Sequence, residues 1–402
     1  MSLPVGIDSI AVSAPRSYLD LSDLAEARGV PAAKYTTGLG TIQMAIAAAD
    51  EDPVTLAANA ARRLFHTSGV DPREVGMCIV GTETAVDHSK PIASFLHGLL
   101  GLPSACRVFD TKHACFGGTA GLLNAVDWIA AGSARGRSAL IVCSDIARYE
   151  LGTAGEPTQG AGAVAMLVRE RPRILDLDVG RTGSYSRHVH DFWRPLDRKD
   201  ALVDGHFSVQ CYLDAVGGAY ADWRALEGEG SEPLARACYH VPYGKMARKA
   251  HRHRLKMDGQ SDEAADESFA TEVEASLRLP SVVGNTYTAS LYFALASLLH
   301  AEAGALEGRR IGLFSYGSGC GAAFFAGRVA AGAAAWVKGL RLDEPLSGRR
   351  RLTFAEYEEI RRCDSAGERR RAPNGATLAG SIPENVVSFL GIDAGERRVY
   401  AQ

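Results

Sequence analysis

Hydrophobic and polar positions fall into two alternating patterns along this chain. Gly76–Thr82, Ser138–Asp145 and Ala161–Val168 are short, almost wholly apolar runs bounded by polar turns. Runs of that kind suit strands covered on both faces. Between the first two, Ala105–Asp110 reads as a short extended run, and Ala120–Ala130 has the i, i+3, i+4 apolar spacing of a helix. The N-terminal half therefore alternates strand and helix, as an α/β sheet requires.

The second half repeats this grammar. Ala235–Val241 resembles the first strand and ends in His240, where the first ends in Glu83. Gly284–Ser290 is an elbow followed by a small-residue helix, and Arg310–Gly319 and Cys320–Val329 are two more buried strand candidates. Cys115 to Asp145 and Asn285 to Ser315 both span about 30 residues, an ordered correspondence despite low identity between the halves. The expectation is a duplicated α/β body with halves at residues 1–170 and 171–402 and a site at their junction. Arg248–Glu274, charged and poor in apolar residues, reads as a surface excursion or mobile loop. Glu344–Pro383 reads as a peripheral extension, whose runs Arg349–Arg351 and Arg369–Arg371 suit a solvated face better than a phosphate site.

Composition narrows the function. The 402 residues are 46% hydrophobic and 23% charged with net charge −3, an ordinary balance for a soluble chain able to bury a large core. Near-neutral charge argues against a dedicated nucleic-acid binder. No run looks long enough for a transmembrane helix, and the N-terminus lacks a signal-peptide pattern, so no membrane partner is expected. The eight cysteines are scattered without a CxxC pair, which argues against a disulfide scaffold or a metal site and for a reducing, cytoplasmic setting.

Candidate chemistry gathers where strands should end. Cys115 lies in Thr111-Lys-His-Ala-Cys-Phe-Gly-Gly-Thr119, at a strand–helix turn whose helix N-terminus should favour a thiolate. Gly117 and Gly118 allow close approach of backbone amides or a ligand. Glu83 and Asp87 follow the first strand, His240 a strand of the second half, and Asn285 the second elbow. In α/β sheets ligands bind outside the carboxyl ends of strands, so these positions should converge. A cysteine nucleophile with a histidine and a carboxylate suits covalent acyl chemistry. Singly, each has a plainer reading: Cys115 a buried thiol, Glu83 or Asn285 a helix cap, His240 a packed core residue. Lys245, Arg248, Lys249 and Arg252 fall on one face of a helix after His240 and suit phosphates, or else solvent.

These segments resemble the 3-hydroxy-3-methylglutaryl-CoA synthase family of thiolase-like acyltransferases over nearly the whole chain. The resemblance runs through Val5-Gly-Ile-Asp, Gly38-Leu-Gly-Thr, Gly81-Thr-Glu-Thr-Ala-Val-Asp, His113-Ala-Cys-Phe-Gly-Gly-Thr and Ser144-Asp-Ile-Ala-Arg-Tyr. It continues through Gly155-Glu-Pro-Thr-Gln-Gly, Asp191-Phe-Trp-Arg-Pro, Leu202-Val-Asp-Gly, Tyr239-His-Val-Pro-Tyr-Gly-Lys-Met, Gly284-Asn-Thr-Tyr-Thr-Ala-Ser and Ser315-Tyr-Gly-Ser-Gly.

The resemblance implies a thiolase-like fold in α-β-α-β-α layers and a homodimer. It implies that Cys115 accepts acetyl from acetyl-CoA, that Glu83 removes a methyl proton, and that His240 polarises the acetoacetyl-CoA acceptor. Amides of Cys115 and Ser318 would form the oxyanion hole. Asp87, Asp145 and Asp191 would organise the site, Asn285 would contact the acceptor, and Tyr149 and Thr158 would line the acyl pocket. No metal or permanently bound cofactor is implied. Phe116 stands where many relatives carry Tyr. Related enzymes of polyketide assembly use the same triad on carrier-protein-bound acyl groups, and Gly319-Cys320 resembles that subgroup. Asp191-Phe-Trp-Arg-Pro, Gly155-Glu-Pro-Thr-Gln-Gly and Lys245 look more like enzymes using free CoA. An acyl carrier protein thus stays an alternative partner, and a scaffold without catalysis a third reading.

Overall fold

The computed structural model describes residues 3–228, 231–365 and 386–401. The central sheet is built of β1 (Val5–Ser13), β2 (Val75–Gly81), β3 (Arg107–Thr111), β4 (Ser138–Ala147), β5 (Gly160–Glu170), β6 (Leu175–Leu177), β7 (Arg236–Tyr239), β8 (Arg310–Gly317) and β9 (Gly321–Val329), of which the sequence runs anticipated all but β1 and β6. Their order in one hydrogen-bonded path is β7-β8-β9-β6-β1-β5-β4-β2-β3.

Both arms of that path follow one plan. In the first, β2 and β4 are parallel, whereas β4–β5 and β5–β1 are antiparallel. In the second, β7 and β8 are parallel, whereas β8–β9 and β9–β6 are antiparallel. The arms are joined by the strand pairs Gly6↔Asp176 and Ile7↔Leu175. Among the described residues strand β3 has no counterpart, because the chain before the second elbow is helical at Pro280–Val283.

Among the helices are α1 (Pro53–Ser68), α2 (Ile92–Leu100), α3 (Gly117–Ala130), α4 (Gly205–Glu227), α5 (Gly244–Met257), α6 (Asp262–Glu272), α7 (Ser290–Leu306) and α8 (Phe354–Ser365). Helix α3 packs on β2, β4 and β5, and α7 on β7 and β8, between the two arms; α1 and α4 cover the outer faces. The result is the thiolase-like layering of helix, sheet, helix, sheet, helix. Alternate residues of one strand serve different cores. Ile79, Ile141 and Met166 pack with α3, while Cys78, Val80, Leu140 and Leu167 pack with α1. That is why these strands read as unbroken apolar runs rather than as alternation.

The segment Tyr287–Leu306 is long and apolar enough by composition to cross a membrane, contrary to the sequence reading, and 72% of its most apolar window is buried in the protein. It is the core helix α7 with the turn before it; Thr119 of α3 makes hydrogen bonds of 2.7 Å with the Tyr292 hydroxyl of α7 and with Ser315 Oγ of β8.

Three sequence expectations change. Arg248–Glu274 is not a loop: it forms most of α5 and α6, because Met246, Ala247, Ala250, His251 and Arg254 make a buried stripe hidden among charged residues. The His251 ring joins Tyr239 at 3.2 Å and Ser268 at 2.8 Å, so a histidine does the work of a core residue. Arg349 is not on a solvated face. It donates to Val282 O at 3.1 Å and Gln43 Oε1 at 3.0 Å and stacks on Tyr18, fixing the extension to the body; Arg350 and Arg351 are exposed. The run Arg369–Arg371 lies outside the described residues. Finally, the elbows match in a different register. Ala114 (φ 40°) and Tyr287 (φ 45°) both adopt left-handed backbone three residues before a helix begins. The position equivalent to Cys115 is therefore Thr288, not Asn285.

Candidate active site

Cys115 and Glu83 reach each other from separate loops of the first half. Glu83 lies two residues beyond β2 and Cys115 two residues before α3, and the thiol donates a 3.2 Å hydrogen bond to Glu83 Oε1. The elbow is held closely. The amide of Phe116 donates to His113 O at 2.9 Å and that of Gly117 to Ala114 O at 3.3 Å. A Cβ on Gly317 would lie 2.4 Å from His113 O and 2.7 Å from Phe116 N. Glycine at 317 is thus what lets the β8–β9 loop, with Ser318, lie against the nucleophile turn.

Electrostatics around the pair favour protons on both groups. Burial and the Asp145 carboxylate push the Glu83 carboxyl up to about 8, against the opposing pull of Arg194 and the Cys115 hydrogen bond. Burial, and then Glu83 beside it, push the Cys115 thiol well above its ordinary value. The helix entrance was expected to favour a thiolate. Desolvation next to an acid outweighs that partial charge, so the resting nucleophile is a thiol.

Asp145 is fully buried at the end of β4 and ties the halves together. Its Oδ1 accepts from Thr82 Oγ1 at 3.0 Å, Glu83 N at 2.9 Å, Thr84 N at 3.0 Å and Thr84 Oγ1 at 2.7 Å. Its Oδ2 accepts from Thr288 N at 3.1 Å and Thr288 Oγ1 at 2.5 Å. Asp191, also buried, accepts from the Tyr316 hydroxyl at 2.6 Å and Gly319 N at 2.9 Å, and so shapes the loop that carries Ser318.

His240 follows β7. Its Nδ1 lies 2.7 Å from Ser290 Oγ, which also accepts from Val241 N at 3.0 Å. A serine oxygen that accepts from that amide is free to turn its hydrogen toward Nδ1, which leaves Nε2 protonated as the ring's remaining donor. Burial lowers the imidazole to about 3, so it is neutral. Cys115, His240, Ser318, Asn285, Tyr149 and Thr158 line one cavity of about 200 Å³, drawn from both halves. Phe192, with ring centroids 6.2 Å from Tyr149 and 5.8 Å from Tyr287, forms an aromatic wall over it.

A nucleophilic thiol bonded to an acid, facing a neutral imidazole across a small, largely apolar cavity, is equipped for acyl transfer followed by proton abstraction. The hydroxymethylglutaryl-coenzyme A synthase N-terminal profile matches residues 2–172, and the C-terminal profile of the same family matches residues 175–267 and 253–402. The chain belongs to the hydroxymethylglutaryl-CoA synthase family.

Among relatives, the hydroxymethylglutaryl-CoA synthase of Enterococcus faecalis is 39% identical over 358 residues, covering 89% of this chain and 91% of that one. Among solved structures, MvaS in complex with 3-hydroxy-3-methylglutaryl coenzyme A superposes with TM-score 0.91 at 48% identity, covering 100% of both chains. The curacin biosynthetic pathway HMG synthase in complex with holo donor-ACP also superposes with TM-score 0.91, at 30% identity and 99% coverage of both.

Within this family framework, not every expected residue reaches the cavity. Asp87 is exposed, and its carboxylate accepts from Ser89 N and Lys90 N at 2.8 Å, capping a surface turn. Asn285 lines the cavity while its Oδ1 accepts from Tyr287 N at 2.9 Å, so it also shapes the elbow. Of the basic stripe on α5, Arg252 pairs with Asp266 of α6, and Arg248 lies 3.8 Å from the same carboxylate. Lys245 is exposed and Lys249 half-exposed, on the helix whose first turn supplies the cavity residue Met246. The sequence reading missed Ser290, Thr288, Phe192 and Arg194. Each lies inside a quoted motif, but none carries chemistry visible without its partner.

Proposed function

We propose that this chain is an acyltransferase that condenses acetyl-CoA with acetoacetyl-CoA and water, giving 3-hydroxy-3-methylglutaryl-CoA and CoA, as in the mevalonate route to isoprenoids. Cys115 sulfur attacks the acetyl thioester, the thiol proton leaves with the CoA sulfur, and an acetyl group remains on Cys115. Glu83, as carboxylate, removes a methyl proton from that acetyl group. The resulting carbanion equivalent adds to the ketone carbon of acetoacetyl-CoA, which His240 polarises through Nε2–H. The new alkoxide takes up a proton. Water then cleaves the Cys115 thioester, releasing the carboxylate end of the product and restoring the thiol. Amides of Cys115 and Ser318 serve as oxyanion donors, since an enolate beside a thioester needs preorganised hydrogen bonds.

The observation that carries this reading is the 3.2 Å Cys115–Glu83 contact in the cavity region that also holds His240. Mass spectrometry after incubation with acetyl-CoA should find an acetyl adduct on Cys115 that is absent from Cys115→Ala. Glu83→Ala should acetylate but not condense. An enzyme that no acetyl donor acylates at Cys115 sinks the proposal.

A carrier-protein enzyme is the second reading, favoured by the equal fold similarity to the curacin HMG synthase in complex with donor-ACP. The higher identity to MvaS, 48% against 30%, supports free CoA as the carrier. Negligible turnover of acetoacetyl-CoA beside rapid turnover of a carrier-bound β-ketoacyl thioester would reverse that choice. The lead reading carries with it a homodimer and a cytosolic location, to be checked by light scattering and cell fractionation.

A further inference from the structure

Glu83 lies outside the sheet, so no ladder of strand hydrogen bonds fixes it. It is clamped instead at both of its backbone groups. Its N–H donates to Asp145 Oδ1 at 2.9 Å, and its carbonyl oxygen accepts from Arg194 Nη2. Holding N and O of one residue restrains its φ and ψ, and with them the direction of its Cα–Cβ bond.

Arg194 is itself held. Three residues earlier, Asp191 is pinned by Tyr316 and Gly319; Phe192 packs between Tyr149 and Tyr287; Pro195 restricts Arg194 to extended backbone. The segment 191–195 thus connects the loop carrying Ser318 to the loop carrying Glu83. Among the described residues Arg194 makes no ion pair with any carboxylate, although its charge is felt at Glu83. A direct guanidinium–carboxylate pair would occupy the oxygens that must accept a proton. Bonding to the carbonyl leaves them open toward Cys115, where Oε1 already accepts from the thiol.

We infer that Arg194 is a positioning residue that, by holding the Glu83 carbonyl, aims the Glu83 carboxylate at the acyl group on Cys115 and so serves the carbon–carbon bond-forming step rather than acylation. This rests on the condensation reading given above. Arginine suits the task because its guanidinium is permanently charged and its donors are fixed in a plane. Its charge also opposes the upward push of burial on the Glu83 carboxyl.

The test separates the two half-reactions in rapid-quench experiments on the full-length enzyme. With Arg194→Ala, Cys115 acetylation by acetyl-CoA should stay within about threefold of wild type. Condensation of pre-acetylated enzyme with acetoacetyl-CoA should fall on the order of 100-fold, as expected for a base displaced by a fraction of an ångström to an ångström. The midpoint of the condensation pH–rate profile should move upward. Arg194→Gln, which keeps a neutral donor, should recover part of the rate but leave the midpoint raised, and it serves also if the alanine variant is unstable. Equal losses in both steps, or an unchanged condensation rate and pH profile, would overturn the assignment. Wild-type enzyme that fails to acetylate at all would instead count against the parent reading.

Discussion

Thr288 of the second half donates its hydroxyl hydrogen to Asp145 Oδ2 of the first, 2.5 Å away, and its amide donates to the same oxygen at 3.1 Å. Because Asp145 Oδ1 meanwhile holds the Thr82–Thr84 loop, one buried carboxylate sets the base relative to the second elbow. Thr288 occupies the position that the duplication makes equivalent to Cys115. One elbow therefore presents the nucleophile, and the other presents the donor that locks the halves together.

Thr288→Val keeps the shape and removes one donor from a buried carboxylate. The expected cost is about 1–3 kcal/mol of stability, together with slower condensation. Urea unfolding with parallel activity assays measures both, and stability unchanged within error would contradict the locking role.

The raised Glu83 carboxyl makes two pH statements. Condensation needs the carboxylate, so its rate should climb with pH through about 8. For stability the sign is opposite. A carboxyl whose folded value lies above its unfolded value contributes stability in full only below the unfolded value, ordinarily about 4.3, and loses that contribution as pH rises toward about 8. Glu83→Gln cannot ionise, so its melting temperature should gain on that of wild type between about pH 5 and 8. A constant gap across that window would contradict the raised value.

Ser290→Ala removes the partner of His240 Nδ1 and frees the ring to adopt the wrong tautomer. Condensation should slow by about tenfold or more, roughly 1.4 kcal/mol of transition-state stabilisation, while acetylation of Cys115 is nearly preserved. Stopped-flow assays with acetoacetyl-CoA varied at saturating acetyl-CoA test this.

Gly317→Ala puts a methyl group 2.4 Å from His113 O, a contact that requires backbone to move. The expected cost is about 1–3 kcal/mol of stability. Because the moving backbone is the nucleophile turn, acetylation should slow at least tenfold, about 1.4 kcal/mol. An acetylation rate equal to wild type would show that the turn tolerates the shift.

The basic face of α5 divides in two. Lys249→Glu should raise KM for acetyl-CoA, most strongly at low ionic strength. Arg252→Ala removes a side chain already paired with Asp266 and should leave KM within about twofold. Similar effects from both would mean that the whole stripe meets the phosphates.

The sequence by itself determined most strands of the sheet, the existence of two elbows, and the places of Glu83, Cys115 and His240 at strand ends and a helix entrance. Their signals are local: apolar runs covered on both faces, glycines at a helix entrance, and reactive side chains at strand ends. It misread α5 and α6 because His251 and Arg254 are polar residues buried by partners outside their own helix: Tyr239, Ser268 and Glu272. It placed Asp87 among the residues that organise the site on the family resemblance, whereas the carboxylate caps an exposed turn. Only the tertiary structure decided that Cys115 rests as a thiol, that Thr288 rather than Asn285 is its counterpart, and that Ser290 and Arg194 orient the histidine and the base. Those outcomes depend on burial and on hydrogen bonds between residues a hundred or more positions apart for Asp145–Thr288 and Arg194–Glu83, and local sequence pattern carries no such information.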